Sequence, residues 1–294
     1  MEVDCEGCAG CCVDWRPLAD RPSDHERRGP HEPLDDVYNL VPLTRAEVRR
    51  FCDDGVGDAL VPRLWTAPPD ADDAVVVDGH RVAAIGGQPA FFVGLRKTPK
   101  PVAPVGTDET RWLRSCVFLD PQTLQCRIHG DDQYPSECAD YPGHNLLLER
   151  ETECERVEEA FGDDRLVDDE PPESVGGLLL GPQALGEKVF VHPEPGELTG
   201  IASRAAAGTL TRADRAEFVG WAAASAPGTT EHSESHYETY RETVLSTESW
   251  VTSAVEDWTA WATGDGETAP AASVVERVED EAGAPGTPGW DAVE

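Results

Sequence analysis

Apolar positions fall into two regimes along the chain, short alternating or continuous runs in the first half and helical spacing in the second. In the first half, VYNLVPLTRAEVRRF at 37–51 carries a helix start, with Thr44 as N-cap and Glu47 three residues later closing a capping box; Cys52 ends that helix among apolar neighbours and reads as a small core residue. Residues 74–85, AVVVDGHRVAAI, are two β-branched runs split by Asp78-Gly79, which predicts a two-residue hairpin, and PAFFVGL at 89–95 predicts a third strand. RWLRSCVFLD and LQCRIHG are short apolar runs separated by Pro121-Gln122-Thr123, which predicts another small hairpin with one cysteine on each arm, Cys116 and Cys126.

Helical spacing takes over beyond residue 197. One helix starts after Thr211, with Asp214 at the capping-box position, and runs through EFVGWAAA. A second is predicted over about 234–262, with apolar or aromatic residues at 237, 240, 244, 251, 254, 258 and 261 and only Thr247 breaking the three-four rhythm. Trp258 and Trp261 on that face are read as core rather than as a ligand platform. Residues 16–36 read as a surface loop, and 131–154 as loop because Pro135 and Pro142 oppose a long helix. The expected fold class is α+β: a small cysteine-rich metal-binding domain with short β-hairpins and loops over 1–155, then an acidic, mainly helical region over 156–262 packing on it. A Gly/Pro/Ala-rich acidic tail over 263–294 is expected to be mostly disordered, with one short helix over 272–280.

Charge changes the setting of this picture. The chain has 57 acidic residues against 24 basic ones, a net charge of −33, and its lysines are three: Lys97, Lys100 and Lys188. Acid spread along the whole chain repels itself, and is tolerable where salt cuts the Debye length to about 3 Å, so a halophilic cytoplasm, that of a salt-loving archaeon, is expected. In that setting acidity is background and says little about partners; there is no sequence evidence for nucleic-acid binding. With no positive leader and no apolar run of 18 residues, no membrane association is expected and the predicted location is cytoplasmic.

Reducing conditions turn attention to the nine cysteines, four of which, Cys5, Cys8, Cys11 and Cys12, fall within MEVDCEGCAGCCVDW. Tandem C-x2-C spacing aims successive thiolates inward and is strong evidence for a metal, though zinc and an iron–sulfur cluster both use it. Adjacent side chains in an extended segment point to opposite sides, so Cys11 and Cys12 are expected to serve different roles. If Cys116, Cys126 and Cys138 fold back onto the N-terminal group, seven sulfurs converge. Cys154 and His129, the latter three residues after Cys126, are weaker candidates. The other histidines show no ligand spacing, and no phosphate loop, GxSxG elbow or catalytic triad is present.

The CxxCxxCC opening, Cys116-Val117-Phe118-Leu119-Asp120, Cys126-Arg127-Ile128-His129, and Tyr134-Pro135 and Tyr141-Pro142 around Cys138 together resemble the YkgJ-type cysteine-cluster family, described as a zinc- or iron-chelating domain. The resemblance covers roughly the first half of the chain. It departs at Tyr134 and Ala139, where that family carries arginine, so the ligand positions are kept and the basic neighbours are lost. It implies that Cys116, Cys126 and Cys138 are ligands. It implies a metal centre, with iron–sulfur placed ahead of zinc because the donors are all cysteine. Three functions follow as expectations: an iron–sulfur protein with a redox or electron-transfer role and a redox or protein partner; a structural zinc module mediating protein interaction; and a protein lysine methyltransferase-like enzyme, since similar clusters occur in flagellin lysine N-methylases.

Overall fold

The computed structural model describes residues 9–18, 31–103, 109–147, 157, 160–162, 164–167, 186–263 and 269–288; Cys5, Cys8 and Cys154 lie outside these. The chain divides into two compact units interleaved along the sequence: Met1–Ser23, Lys97–Glu173 and Trp250–Glu294 form the first, Asp24–Arg96 and Ser174–Ser249 the second. Composition suggests consecutive blocks instead, because it does not register which distant segments pair. The class is α+β with antiparallel sheets.

The second unit is built on a sheet whose strands β1 (Leu60–Leu64), β4 (Gln88–Leu95), β3 (His80–Ile85) and β2 (Ala74–Val77) lie in that order, with β7 (Phe190–Val191) also pairing β4. The hairpin between β2 and β3 turns at Asp78 (φ 52°) and Gly79 (φ 81°), both left-handed as a two-residue turn of matching twist demands. Strand β4 is buried on both faces: Phe92 meets Trp65 with ring centroids 6.0 Å apart, while Phe91 meets Phe218 edge-on at 4.8 Å and Phe190 at 5.8 Å. A side chain at Gly94 would collide with the carbonyl of Val41, so glycine there lets the segment bridged through Pro42 lie against the strand.

Helices α1 (Arg45–Asp53), α3 (Ile201–Ala206), α4 (Arg212–Ala224) and α5 (Glu234–Ser246) complete this unit. Both predicted capping boxes are present: Thr44 Oγ1 accepts from the Glu47 N–H at 3.3 Å, and Thr211 Oγ1 from the Asp214 N–H at 3.1 Å. Cys52 is buried in this core, its thiol pushed up to about 12 by burial, and stands outside the cysteine-bearing unit.

The first unit is organised on a two-stranded ribbon of β5 (Lys97–Val102) and β6 (Arg111–Cys116), with α2 (Ser136–Leu147), α6 (Trp250–Thr263) and α7 (Ala272–Glu281). Three expectations are corrected here. The helix expected over 234–262 is two helices, α5 and α6, because Thr247 adopts an extended cap (φ −94°, ψ 117°) where the apolar rhythm breaks. The region expected to be loop contains α2, which runs through Pro142; proline cannot supply the bond to the carbonyl four residues back, that of Cys138, and the helix persists despite this. The partner of β6 is β5, whose KTPKPV carries two prolines and no strand-like alternation; residues 117–126 contribute one bridge, between Leu119 and Cys126. Trp258 is buried in the core, as read from its helical face. Among the described residues no helix is long and apolar enough to cross a membrane.

Candidate functional site

The site is assembled from three stretches of the first unit. The N-terminal stretch enters as a tight turn at Ala9, which has a left-handed φ of 50° and whose carbonyl accepts from Cys12 N, Val13 N (both 3.0 Å) and Trp15 Nε1 (3.3 Å). It is then stitched to β6: Cys116 N donates to Cys12 O at 2.8 Å, Asp14 N to Arg114 O at 2.8 Å, and Val13 bridges Ser115. This seats Cys11 and Cys12 beside Cys116, the last residue of the strand. The second stretch continues from Cys116 through a turn fixed by Asp120, whose Oδ1 accepts from Gln122 N (2.9 Å) and Thr123 N (2.8 Å), back to Cys126. Helix α2 supplies Cys138 from its first turn.

Five thiols therefore stand within electrostatic reach of one another: Cys11, Cys12, Cys116, Cys126 and Cys138. Cys116 is buried and the other four are half-buried. Contrary to the expectation of opposed side chains, the sulfurs of Cys11 and Cys12 are 4.0 Å apart. The cause is local: the segment is a turn, and the extended geometry that separates neighbouring side chains does not apply.

The thiols differ in their readiness to ionise. A hydrogen bond from Cys12 holds Cys11 down at about 7 against the effect of burial, with Lys97 assisting. The same bond, then burial, pushes Cys12 well up. Burial raises Cys116, pushes Cys126 up to about 12 with the help of Cys116, and drives Cys138 well above the ordinary thiol range with Cys11 and Cys126 adding to it. Tyr134 is raised by burial and then by Cys138, Cys126, Cys12 and Cys11, which places its phenol at the edge of the thiol group. His129 lies one turn beyond Cys126, its ring 4.7 Å from that of Tyr134.

Two of the chain's three lysines are buried in β5 next to this group, a feature the KTPK stretch did not advertise. Lys97 lies opposite Cys116 in the ribbon, its Nζ donates to the carbonyl of Cys11 at 2.7 Å, and its charge favours the thiolates of Cys11, Cys116 and Cys138. Lys100, wholly buried, pairs with Glu279 Oε1 at 2.8 Å, donates to the carbonyl of Leu119 and sits 4.7 Å from the ring centroid of Trp258. Arg127, next to Cys126, bonds Glu279 Oε2 (3.1 Å), Asp280 Oδ1 (3.0 Å) and the Pro285 carbonyl (2.8 Å), so α7 and the residues after it close over the turn between Cys116 and Cys126. The sequence signal available was weak: a lysine-poor chain that spends two lysines on one short strand.

Among the described residues no group of three His, Cys, Asp or Glu side chains is placed so as to hold a metal ion. No curated protein and no solved structure matches the chain. The expected kinship with the YkgJ-type family is corrected by these findings together with the family match itself, which is to a different family and extends over both units. The chain belongs to the family of unknown function DUF7531, whose model matches residues 1–291.

Proposed function

We propose that the chain is a metal-binding protein whose cysteines hold an iron–sulfur cluster, with a redox or electron-transfer role in a high-salt cytoplasm. The observation that supports this reading is that five thiols from three separate stretches, Cys11 and Cys12, Cys116 and Cys126, and Cys138, stand within electrostatic reach of one another. The donor chemistry fits a thiophilic metal. Burial opposes ionisation of Cys116, Cys126 and Cys138, so they stay thiols in the absence of a cation and would release protons on binding one. Cys5 and Cys8, outside the described residues, would complete a set of seven by their spacing to Cys11. Seven thiolates exceed what one tetrahedral ion takes, which favours a cluster.

A bound iron–sulfur cluster supplies reversible one-electron transfer. The chain's own contribution is to orient the thiolates through the turn at Ala9 and the β5–β6 ribbon, to exclude water around Cys116, and to offset their negative charge with Lys97.

One observation favours a second reading, structural zinc. The 4.0 Å separation of the Cys11 and Cys12 sulfurs is close to the roughly 3.8 Å between two thiolates on one tetrahedral zinc with bonds of about 2.3 Å. Purification without oxygen in high salt, followed by the visible spectrum and by iron, zinc and acid-labile sulfide analysis, separates the two. A brown protein with matched iron and sulfide supports the cluster. A colourless one with stoichiometric zinc supports the structural ion, and a metal-free one removes both. Single Cys8→Ala and Cys138→Ala variants are expected to lose metal.

A further inference from the structure

Cys11 and Cys12 stand in a contact that adjacent cysteines do not ordinarily make. Neighbouring Cα atoms are about 3.8 Å apart, and in a strand their side chains leave on opposite faces, so two thiols next to each other in sequence stay apart in space. Here the Ala9 carbonyl accepts from both the Cys12 and the Val13 N–H at 3.0 Å, which coils the backbone through residues 9–13. In a coil of that kind successive side chains diverge by about 100° instead of about 180°, and the sulfurs of Cys11 and Cys12 lie 4.0 Å apart. Among the described residues they are the one pair of sulfurs in hydrogen-bond contact.

The backbone on either side of the pair is held. Lys97, buried in β5, donates from Nζ to the Cys11 carbonyl at 2.7 Å. The Cys116 N–H donates to the Cys12 carbonyl at 2.8 Å, and Val13 is bridged to Ser115. Both carbonyls of the pair are thus tied to the β5–β6 ribbon. The sulfurs cannot drift apart by backbone motion, and each meets the other at the high effective concentration of groups fixed on one frame. Both residues are half-buried, which leaves them within reach of a small reagent, whereas Cys116 is buried.

We propose that Cys11 and Cys12 are a redox pair that closes to a vicinal disulfide when it meets a low-molecular-weight disulfide. One of the two thiolates attacks a sulfur of the reagent, forming a mixed disulfide and expelling the first reagent thiolate; the second attacks the protein sulfur of that mixed disulfide and expels the other. The pair loses two electrons and two protons, and the reagent disulfide becomes two thiols. Closing the bond draws the sulfurs from 4.0 Å to about 2.05 Å, on Cα atoms nearer together than the usual minimum of about 4.4 Å for bridged cysteines. The ring is therefore strained, and thiols reopen it readily. A sulfur in that bond is no longer a thiolate ligand. Oxidation closes the site to metal and reduction opens it, a consequence that rests on the metal reading proposed above, whereas the bond itself does not.

The test equilibrates the full-length protein, purified without oxygen in high salt, with mixtures of β-mercaptoethanol and its disulfide of rising disulfide fraction. This reagent is uncharged, so a protein of net charge −33 does not repel it. Free thiols are blocked with iodoacetamide, disulfides are then reduced and labelled with N-ethylmaleimide, and peptide mass spectrometry assigns each cysteine. Cys11 and Cys12 are expected to take the second label together and in equal amount, to lose it on return to the reduced mixture, and to release bound metal in the same proportion. Cys11→Ser and Cys12→Ser are each expected to stall with β-mercaptoethanol attached to the remaining cysteine, read as an adduct before the reduction step. Cys11 and Cys12 still reduced in the most oxidising mixture, or either of them joined to Cys116, Cys126 or Cys138, overturns the pair. Metal retained beside a reduced pair leaves the metal reading standing and ends this one; the disulfide formed in a protein that never held metal does the reverse.

Discussion

The two units bury different things. The second has an apolar interior of the ordinary kind, with Phe91 against Phe218 and Phe190 on one face of its sheet and Phe92 against Trp65 on the other. Its most elaborate polar feature, Glu217, is fully served: it accepts from Tyr237 OH (2.6 Å), Trp221 Nε1 (2.9 Å) and Arg241 Nε (3.2 Å) and meets His192 Nε2 at 3.3 Å. In the first unit, by contrast, Lys100, Arg127 and Glu279 are each no more than 1% exposed, and five thiols gather beside them. Charges and thiols lie there alongside apolar groups such as Phe118, Leu119, Ile128 and Trp258. Such an interior tolerates change poorly, since removing one partner of a buried ion pair leaves the other stranded.

The comparison is tested most severely by removing the proposed metal. Chelation under anaerobic conditions is expected to cost the first unit on the order of 10 kcal/mol if the ion is structural zinc, and to leave the second unit intact. Hydrogen exchange by mass spectrometry reads this directly: protection should vanish in 111–141 and persist in 88–95. Equal loss in both segments would end the idea that the units are held by different means.

Next in size is Glu279→Gln, which strands Lys100 in an interior it cannot leave and takes from Arg127 one of its three carboxylates. A loss of about 4 kcal/mol is expected in chemical unfolding. The paired replacement of Lys100 and Glu279 by methionine and leucine should be far milder, because it strands no charge: Arg127 keeps Asp120 and Asp280. If the single and double changes cost the same, the ionic interior contributes by packing alone.

The second unit has its own test in acid. Burial opposes the Glu217 charge, yet the hydrogen bonds from His192, Tyr237 and Trp221 prevail and hold its carboxyl at about 2 against an ordinary 4.5. A folded value below the unfolded one gives stability that is present above pH 4.5 and lost as pH falls through about 2. The loss over that interval is up to about 3 kcal/mol, and Glu217→Gln should flatten it. Unfolding followed by tryptophan fluorescence across this range measures it.

Smaller effects sharpen the contrast. Lys97→Met should weaken metal retention by about tenfold in competition with a chelator, equivalent to about 1.4 kcal/mol, while Lys97→Arg should largely restore it because the charge is kept. At the bottom of the range, Thr44→Ala removes the N-cap of α1 and should cost about 1 kcal/mol in thermal unfolding, with metal content unchanged.

Elements with local causes were legible in the sequence: the capping boxes at Thr44 and Thr211 and the turn at Asp78-Gly79 rest on interactions within a few residues, and the strand at 88–95 showed as a continuous apolar run. The strand Lys97–Val102 was not, because two prolines hide it and its partner β6 begins nine residues after it ends. Helix α2 was not, because Pro142 argues against it locally. For the thiols, spacing marked Cys5, Cys8, Cys11 and Cys12 as a group, but neither the direction of Cys12 nor the counter-charges at Lys97, Lys100 and Arg127 could be read from it. The family resemblance drawn from the same motifs pointed elsewhere than the match over 1–291, since short cysteine motifs recur in unrelated chains.

By itself the sequence determined the acidic surface, the α+β character, the helix and hairpin starts, and the cysteine-dense N-terminus, all of which follow from composition or from contacts between near neighbours. The tertiary structure alone decided that residues 97–116 and 272–287 join the N-terminal turn in one unit, that the five described thiols of that unit come within electrostatic reach of one another, and that buried lysine and arginine lie beside them. The physical reason is the same in each case: charge, thiol and proline are locally unfavourable in an interior, and only long-range pairing, which no local pattern encodes, makes them acceptable there.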